Sequence, residues 1–286
     1  MMTALEYLDF NFMRRALAGG IALAVVSAPL GVFLVIRRMS LTSEAMAHAI
    51  LPGVAIGYII GGLSLPIMAV GGLTAGVLVA LLAAGLARFT AMREETTLAG
   101  LYLIALALGA IILAKGASQL DLLHILFGNL LALDDISVIS LATLAAVVLV
   151  LIALLYRLLI IETVEPEFLS VTRAAPLWAG PIFLGLVAAV LVAGFQTMGT
   201  LMGASLMILP AAGARLWSER IDAIIAIATV AGVCSVITGL VVAVELDLPA
   251  GPSVALMAGV FFFFSALAGT RGGVLFRQNW LGHLEG

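Results

Sequence analysis

The chain has 286 residues, of which 64% are hydrophobic and only 10% charged, and its mean hydropathy is +1.26. A soluble domain of this size needs far more polar surface to cover its core, so the composition excludes one. A net charge of −3 excludes the basic footprint of a nucleic-acid partner, and a single cysteine, Cys234, excludes an intrachain disulfide.

Apolar stretches of membrane-helix length recur along the chain. They predict an all-α polytopic membrane protein of eight to nine transmembrane helices in one transmembrane domain, residues 1–286. The first span, 16–36, follows Arg14 and Arg15. It is longer than the apolar core of a secretory signal and lacks a cleavage site, so it reads as a retained helix. Arg37 and Arg38 close it.

The second span, 44–61, opens with Ser43-Glu44-Ala45-Met46-Ala47-His48-Ala49. A spacing of four puts Glu44 and His48 on one helical face, about one turn apart. Carboxylate oxygen with imidazole nitrogen suits zinc, manganese and ferrous iron, and ionisable groups inside a membrane helix default to a functional reading. The alternative is a helix-start acid favoured by the helix dipole, capped by Thr42 or Ser43, beside a packed histidine. Spacing alone leaves the two readings level. A structural metal cage needs four ligands. Two copies paired about a two-fold axis would supply two Glu44 and two His48. Glu44 follows Arg38 by only six residues. The pair therefore lies near the inner face, or the intervening chain itself enters the membrane.

Spans three and four cover 65–87 and 97–114. The stretch Asp121 to Gly128 is too short and too charged to cross, and predicts an interfacial or re-entrant helix. Its His124 reads as packed. Span five, 135–156, leads to the longest polar loop, 162–173, with Glu162, Glu165, Glu167 and Arg173; span six covers 176–195. Span seven, 199–214, is the least regular. It runs into Leu209-Pro210-Ala211-Ala212-Gly213-Ala214-Arg215-Leu216-Trp217, where apolar residues give way to small and then charged ones. This reads as an ordinary loop with interfacial Trp217 and snorkelling Arg215, or as a short amphipathic helix that docks a partner. Span eight, 221–243, an outer turn at Pro249-Ala250-Gly251-Pro252, span nine, 253–269, and a short polar tail holding His283 complete the chain.

Alternating these spans from an inner Arg37–Arg38 loop sorts the cations. Arg37, Arg38, Arg88, Arg93, Arg157, Arg173, Arg215, Arg220, Arg271 and Arg277 fall inside; Arg14, Arg15 and Lys115 fall outside. That is ten against three of the 13 basic residues, a positive-inside bias with the amino terminus out and the carboxyl terminus in. No phosphate-binding Gly-x-x-x-x-Gly-Lys-Ser/Thr run, no His-Glu-x-x-His and no nucleophile triad is found, so an energised pump needs its ATPase on another chain.

Several of these runs resemble, in order, the permease subunits of bacterial zinc, manganese and iron ABC importers. They are Arg37-Arg38-Met39-Ser40, Glu44-x-x-x-His48, Leu51-Pro52-Gly53-Val54-Ala55 and Leu126-Phe127-Gly128-Asn129-Leu130-Leu131. Gly199-Thr200-Leu201 with Leu209-Pro210-Ala211-Ala212, and Ala250-Gly251-Pro252-Ser253, continue the series. The resemblance implies an ABC importer permease fold in the bacterial inner membrane. It implies a homodimer of permeases, two cytoplasmic ATPases, an extracytoplasmic metal-binding protein, and alternating access. It implies a transported divalent metal, zinc or manganese and possibly iron, held between the second helices by Glu44 and His48, with no cofactor resident on this chain and ATP on the partner subunit. It further implies that the helix after Pro210 docks the ATPase, through Pro210, Ala211, Gly213, Arg215 and Trp217. The family commonly has Asp where this chain has Glu44, which lengthens the reach of the oxygen. The rival readings are an ion-driven secondary transporter with Glu44 and His48 as a proton relay, an intramembrane metalloenzyme, and a non-catalytic assembly subunit.

Overall fold

The computed structural model describes residues 10–62, 64–90, 94–116, 133–164, 179–198 and 200–275. Ten helices lie in them: α1 (Asn11–Ile36), α2 (Ser40–Ala49), α3 (Leu51–Gly61), α4 (Leu65–Phe89), α5 (Glu94–Gly116), α6 (Asp135–Val164), α7 (Ala179–Met198), α8 (Thr200–Arg215), α9 (Ile221–Glu245) and α10 (Ala250–Ala268). No strand occurs among the described residues. Each of the nine expected spans corresponds to one helix, except the second, which is split into α2 and α3. The expected helix at 121–128, most of the 162–173 loop and the tail from residue 276 lie outside the described residues.

Seven spans are long and apolar enough to cross a bilayer, with α2 and α3 counted together as Ser40–Gly61. The chain is a multi-pass membrane protein. Of the remaining two, α8 is the shorter. Its 16 residues rise about 24 Å, less than the ~30 Å hydrocarbon thickness. It is packed against α1, α7, α9 and α10, so it meets protein where a lipid-facing helix would need to match the bilayer.

The split has a local cause. Pro52, near the start of α3, has no N–H to give the His48 carbonyl one turn back. Ile50 ends α2 and begins α3 in right-handed conformation, so the span is jointed without being interrupted. Between α1 and α2 the chain reverses in three residues. Arg38 takes a left-handed φ of 60°, while Arg38 N–H bonds Val35 O and Met39 N–H bonds Leu34 O. This is the Schellman closure usually built on glycine. At the opposite face Asp247, φ 52°, plays the same part between α9 and α10, and Leu248 N–H reaches Ala243 O.

In lipid, apolar side chains gain little by leaving one apolar medium for another, so close packing holds helices together. Helix α1 is the central post. Its residues from Leu23 to Leu34 are largely buried, and α6, α7, α8 and α9 pack around it. At Gly31 an added Cβ would fall 1.9 Å from Met207 O, so α1 and α8 touch backbone to backbone. The hairpin of α3 and α4 is equally tight. Hydroxyls inside the spans mostly bond carbonyls of their own helix, as Thr229 bonds Ile225 O and Ser235 bonds Ala231 O. Among the described residues, Ser27 Oγ, Thr42 Oγ1 and His48 Nδ1 are buried without a partner.

Helix ends sort into two faces. On one, Arg37 bonds the Thr163 hydroxyl at the end of α6 and lies 4.8 Å above the Phe183 ring of α7. There also Arg215 bonds Val35 O, Tyr156 donates to Asp222, Trp217 donates to Ser265 and Arg271 pairs with Glu219. On the other, Arg15 forms a two-point pair with Asp135 at 2.6 and 2.8 Å. Beside it, Asp134 caps α6. Hydrogen bonds from the Ser137 side chain and backbone hold its carboxyl below the ordinary carboxylate value. The cations among them, Arg37, Arg215 and Arg271 on one face and Arg15 on the other, are divided as the charge count divides them. With Cys234 replaced, a single cysteine at Asp247 should therefore react with an impermeant thiol reagent on intact cells, and one at Ser218 should not. The reverse pattern would invert the topology.

Candidate functional site

Helix α2 is enclosed on nearly every side. Thr42, Ser43, Ala45, Met46, Ala47 and Ala49 are all buried, against α5, α7 and α8. One stripe stays open: Leu41, Glu44 and His48, continued across the joint by Ile56, Ile59 and Ile60 of α3. The spacing three, four, eight is that of a single helical face. The Glu44 side chain is 66% exposed and that of His48 31%. Glu44 Oε1 lies 3.8 Å from His48 Nε2, too far for a hydrogen bond but suited to two groups aimed at one centre. The sequence expectation of a shared face is met.

The structure places the pair along the jointed span. Because α2 starts directly after the inner turn at Arg38, Glu44 stands about 6 Å and His48 about 12 Å along the axis from Ser40. Both therefore stand nearer the Arg38 end of the jointed span than its Gly61 end. The joint at Ile50 follows two residues later.

Among the described residues no group of three or more His, Cys, Asp or Glu lies close enough to hold an ion, so one chain brings at most the Glu44–His48 pair to such a site. Of the other candidates, His124 and His283 lie outside the described residues, and Glu245 and Asp247 sit at the opposite face.

Sequence reasoning missed Tyr102. It sits on α5, four residues after buried Leu98 and three before buried Ala105, on the face pressed against α2. Its ring stacks on the His48 imidazole with centroids 6.3 Å apart and planes 28° apart. With Glu44, Thr42 and Leu98 it lines a pocket of about 150 Å³. The available signal was a phenol on an otherwise apolar span.

The expected docking segment is built differently. No separate helix forms after Pro210; α8 runs unbroken from Thr200 to Arg215. Pro210 and Ala211 are buried, and Gly213 lies beneath the Phe261 ring, where a Cβ would come within 2.8 Å. The helix continues because the Pro210 ring is accommodated among packed neighbours, so the small residues serve helix contact. Arg215 is exposed, and Trp217 is half-buried against Phe264 and Ser265. Of the five residues, Arg215 and Trp217 remain available at the inner face.

Comparison with known proteins covers nearly the whole chain. The sequence pattern of the ABC 3 transport family matches residues 9–269. The manganese transport system membrane protein MntC of Halalkalibacterium halodurans is 30% identical over 97% of this chain and 94% of its own. A probable iron transport system membrane protein of Haemophilus influenzae is 27% identical over 96% of each. Among solved structures, PsaBC from Streptococcus pneumoniae in complex with Fab superposes with a TM-score of 0.83 at 28% identity, covering 98% of this chain and 100% of that one. An inward-facing putative metal-chelate type ABC transporter superposes at 0.73 with 14% identity over 91% and 87%, which speaks to the fold alone.

Proposed function

This chain belongs to the ABC 3 transport family, and from that premise we propose that it is the membrane-spanning subunit of an ATP-driven importer for a divalent metal. Manganese is the favoured cargo, since relatives matched end to end carry that name, with iron next. The observation that carries the reading is the open stripe of α2. A carboxylate and an imidazole turned toward acyl chains would be costly, so the stripe belongs against a second copy or a wet conduit.

A two-fold pair would bring two Glu44 and two His48 together. Two carboxylates would balance the charge of the cation, and mixed oxygen and nitrogen donors suit manganese and ferrous iron. Metal delivered at the outer face by a binding protein would exchange its water for these groups. Movement of α2 against α3 about Ile50 would then expose it inward. ATP hydrolysis belongs to cytoplasmic partner chains. Their docking surface includes exposed Arg215, Glu219 and Arg220 and half-buried Trp217, which share the inner face with the start of α2.

The test is metal content. A strain lacking this chain, grown under separate manganese, iron and zinc limitation, should lose manganese accumulation and regain it with the gene restored. Unchanged content of all three metals would remove the reading.

A further inference from the structure

Metal-binding histidines are commonly oriented by a hydrogen bond from the ring nitrogen that does not face the metal. His48 has none among the described residues: its Nδ1 is buried without a partner, and its Nε2 points toward Glu44. What lies against the ring is Tyr102, stacked at 6.3 Å. Tyr102 is itself fixed, because Leu98 and Ala105 are 1% and 5% exposed and hold that face of α5 against α2.

We propose that Tyr102 is a positioning residue for the transported metal: its ring sets the plane of the His48 imidazole so that Nε2 and the Glu44 carboxylate address one centre. This inference rests on Glu44 and His48 being the ligands. An offset aromatic stack restrains two torsions of the histidine before metal arrives, so less ordering accompanies binding. Manganese binds nitrogen and oxygen donors most weakly of the first-row divalent ions, so the saved ordering is the largest fraction of its affinity. The working part is the ring face; the phenol oxygen has no role in it.

The test is manganese uptake by cells making the complete transporter, measured over a range of manganese concentrations. Tyr102→Phe keeps the ring and should keep the apparent KM within about twofold. Tyr102→Ala and Tyr102→Leu lose the stack and should raise it about two- to tenfold, with the maximal rate little changed. Tyr102→Leu retains most of the packing volume and guards against simple misfolding. Unchanged KM in Ala and Leu variants overturns the proposal, as does failure of both to accumulate in the membrane, which would make Tyr102 a packing residue. Tyr102→Phe as impaired as Tyr102→Ala also overturns it, by making the hydroxyl the working group. Glu44→Gln and His48→Ala run in the same assay separate the levels. If they are inactive while Tyr102→Ala is normal, only the positioning role is lost; if they transport normally, the ligand assignment itself is lost.

Discussion

Glu44→Gln and His48→Ala are each expected to reduce manganese uptake to background while leaving the chain in the membrane at its normal level. Glu44→Gln keeps the size of the side chain and removes one charge per protomer. With two copies at the site, two charges disappear, and a divalent ion would then stand uncompensated in a low-dielectric setting. His48→Ala removes the nitrogen donors. Neither change strips out much packing. Glu44 is 66% exposed, and exposed substitutions usually move stability by about 0.5 kcal/mol or less. His48 gives up its stack on Tyr102, worth about 0.5–1.5 kcal/mol. Glu44→Asp should remain active, because it keeps the charge and shortens the reach, and it should shift the preference among manganese, iron and zinc. The measurement is uptake of each metal at several concentrations, with membrane content of the chain as control. Normal rates in both Gln and Ala variants would return the pair to a helix-start acid and a packed histidine.

Gly53→Val is expected to unmake the α3–α4 hairpin. Gly53, Gly57 and Gly61 repeat every fourth residue along one face of α3, and α4 lies against them. A Cβ at Gly53 would sit 1.9 Å from Gly71 O and 2.7 Å from Ala75 Cβ. The opposing atom is backbone, so the two helices must part, and Gly57 and Gly61 then lose their contacts with Met68 and Ile67. Overpacking costs about 1–3 kcal/mol where side chains can yield, and more where backbone blocks them. In lipid the packing itself is what associates helices, so there is little to offset the loss. The purified variant should melt at least about 5 °C lower or run as aggregate in detergent. Gly53→Ala should show the same defect in weaker form. Gly85→Ala and Gly259→Ala, where nothing lies within 4 Å of the new Cβ, should behave as the parent. Equal melting temperatures for Gly53→Val and Gly259→Ala would contradict the close approach.

The effect on transport follows from position. The hairpin carries the outer half of the jointed span, and Ile50 and Leu51 at the joint pack with Met68, Val192 and Phe195. A displaced α3 would therefore pull on the turn of α2 that presents His48. Uptake should fall in Gly53→Ala even where enough protein remains to measure it.

The amino-acid sequence determined the spans, the division of their arginines between two faces and the pairing of Glu44 with His48. Those properties are local: length and hydropathy decide what can cross, arginine placement decides which end stays inside, and a separation of four decides a shared face. Pro52 was visible in the sequence, yet the joint it makes at Ile50 required the neighbours that accept a loosened helix there. Tertiary structure alone decided which side of each helix is covered. Lipid and protein interior are both apolar, so hydropathy does not separate a lipid-facing leucine from a buried one. Exposed Leu103 and buried Leu98 sit on the same span and look alike in the sequence. For the same reason the sequence does not show that Pro210, Ala211 and Gly213 lie packed at the end of α8. Tyr102, 54 positions after His48, meets it only because α5 returns beside α2, and no local pattern encodes a contact between helices separated by two turns of the chain through the bilayer.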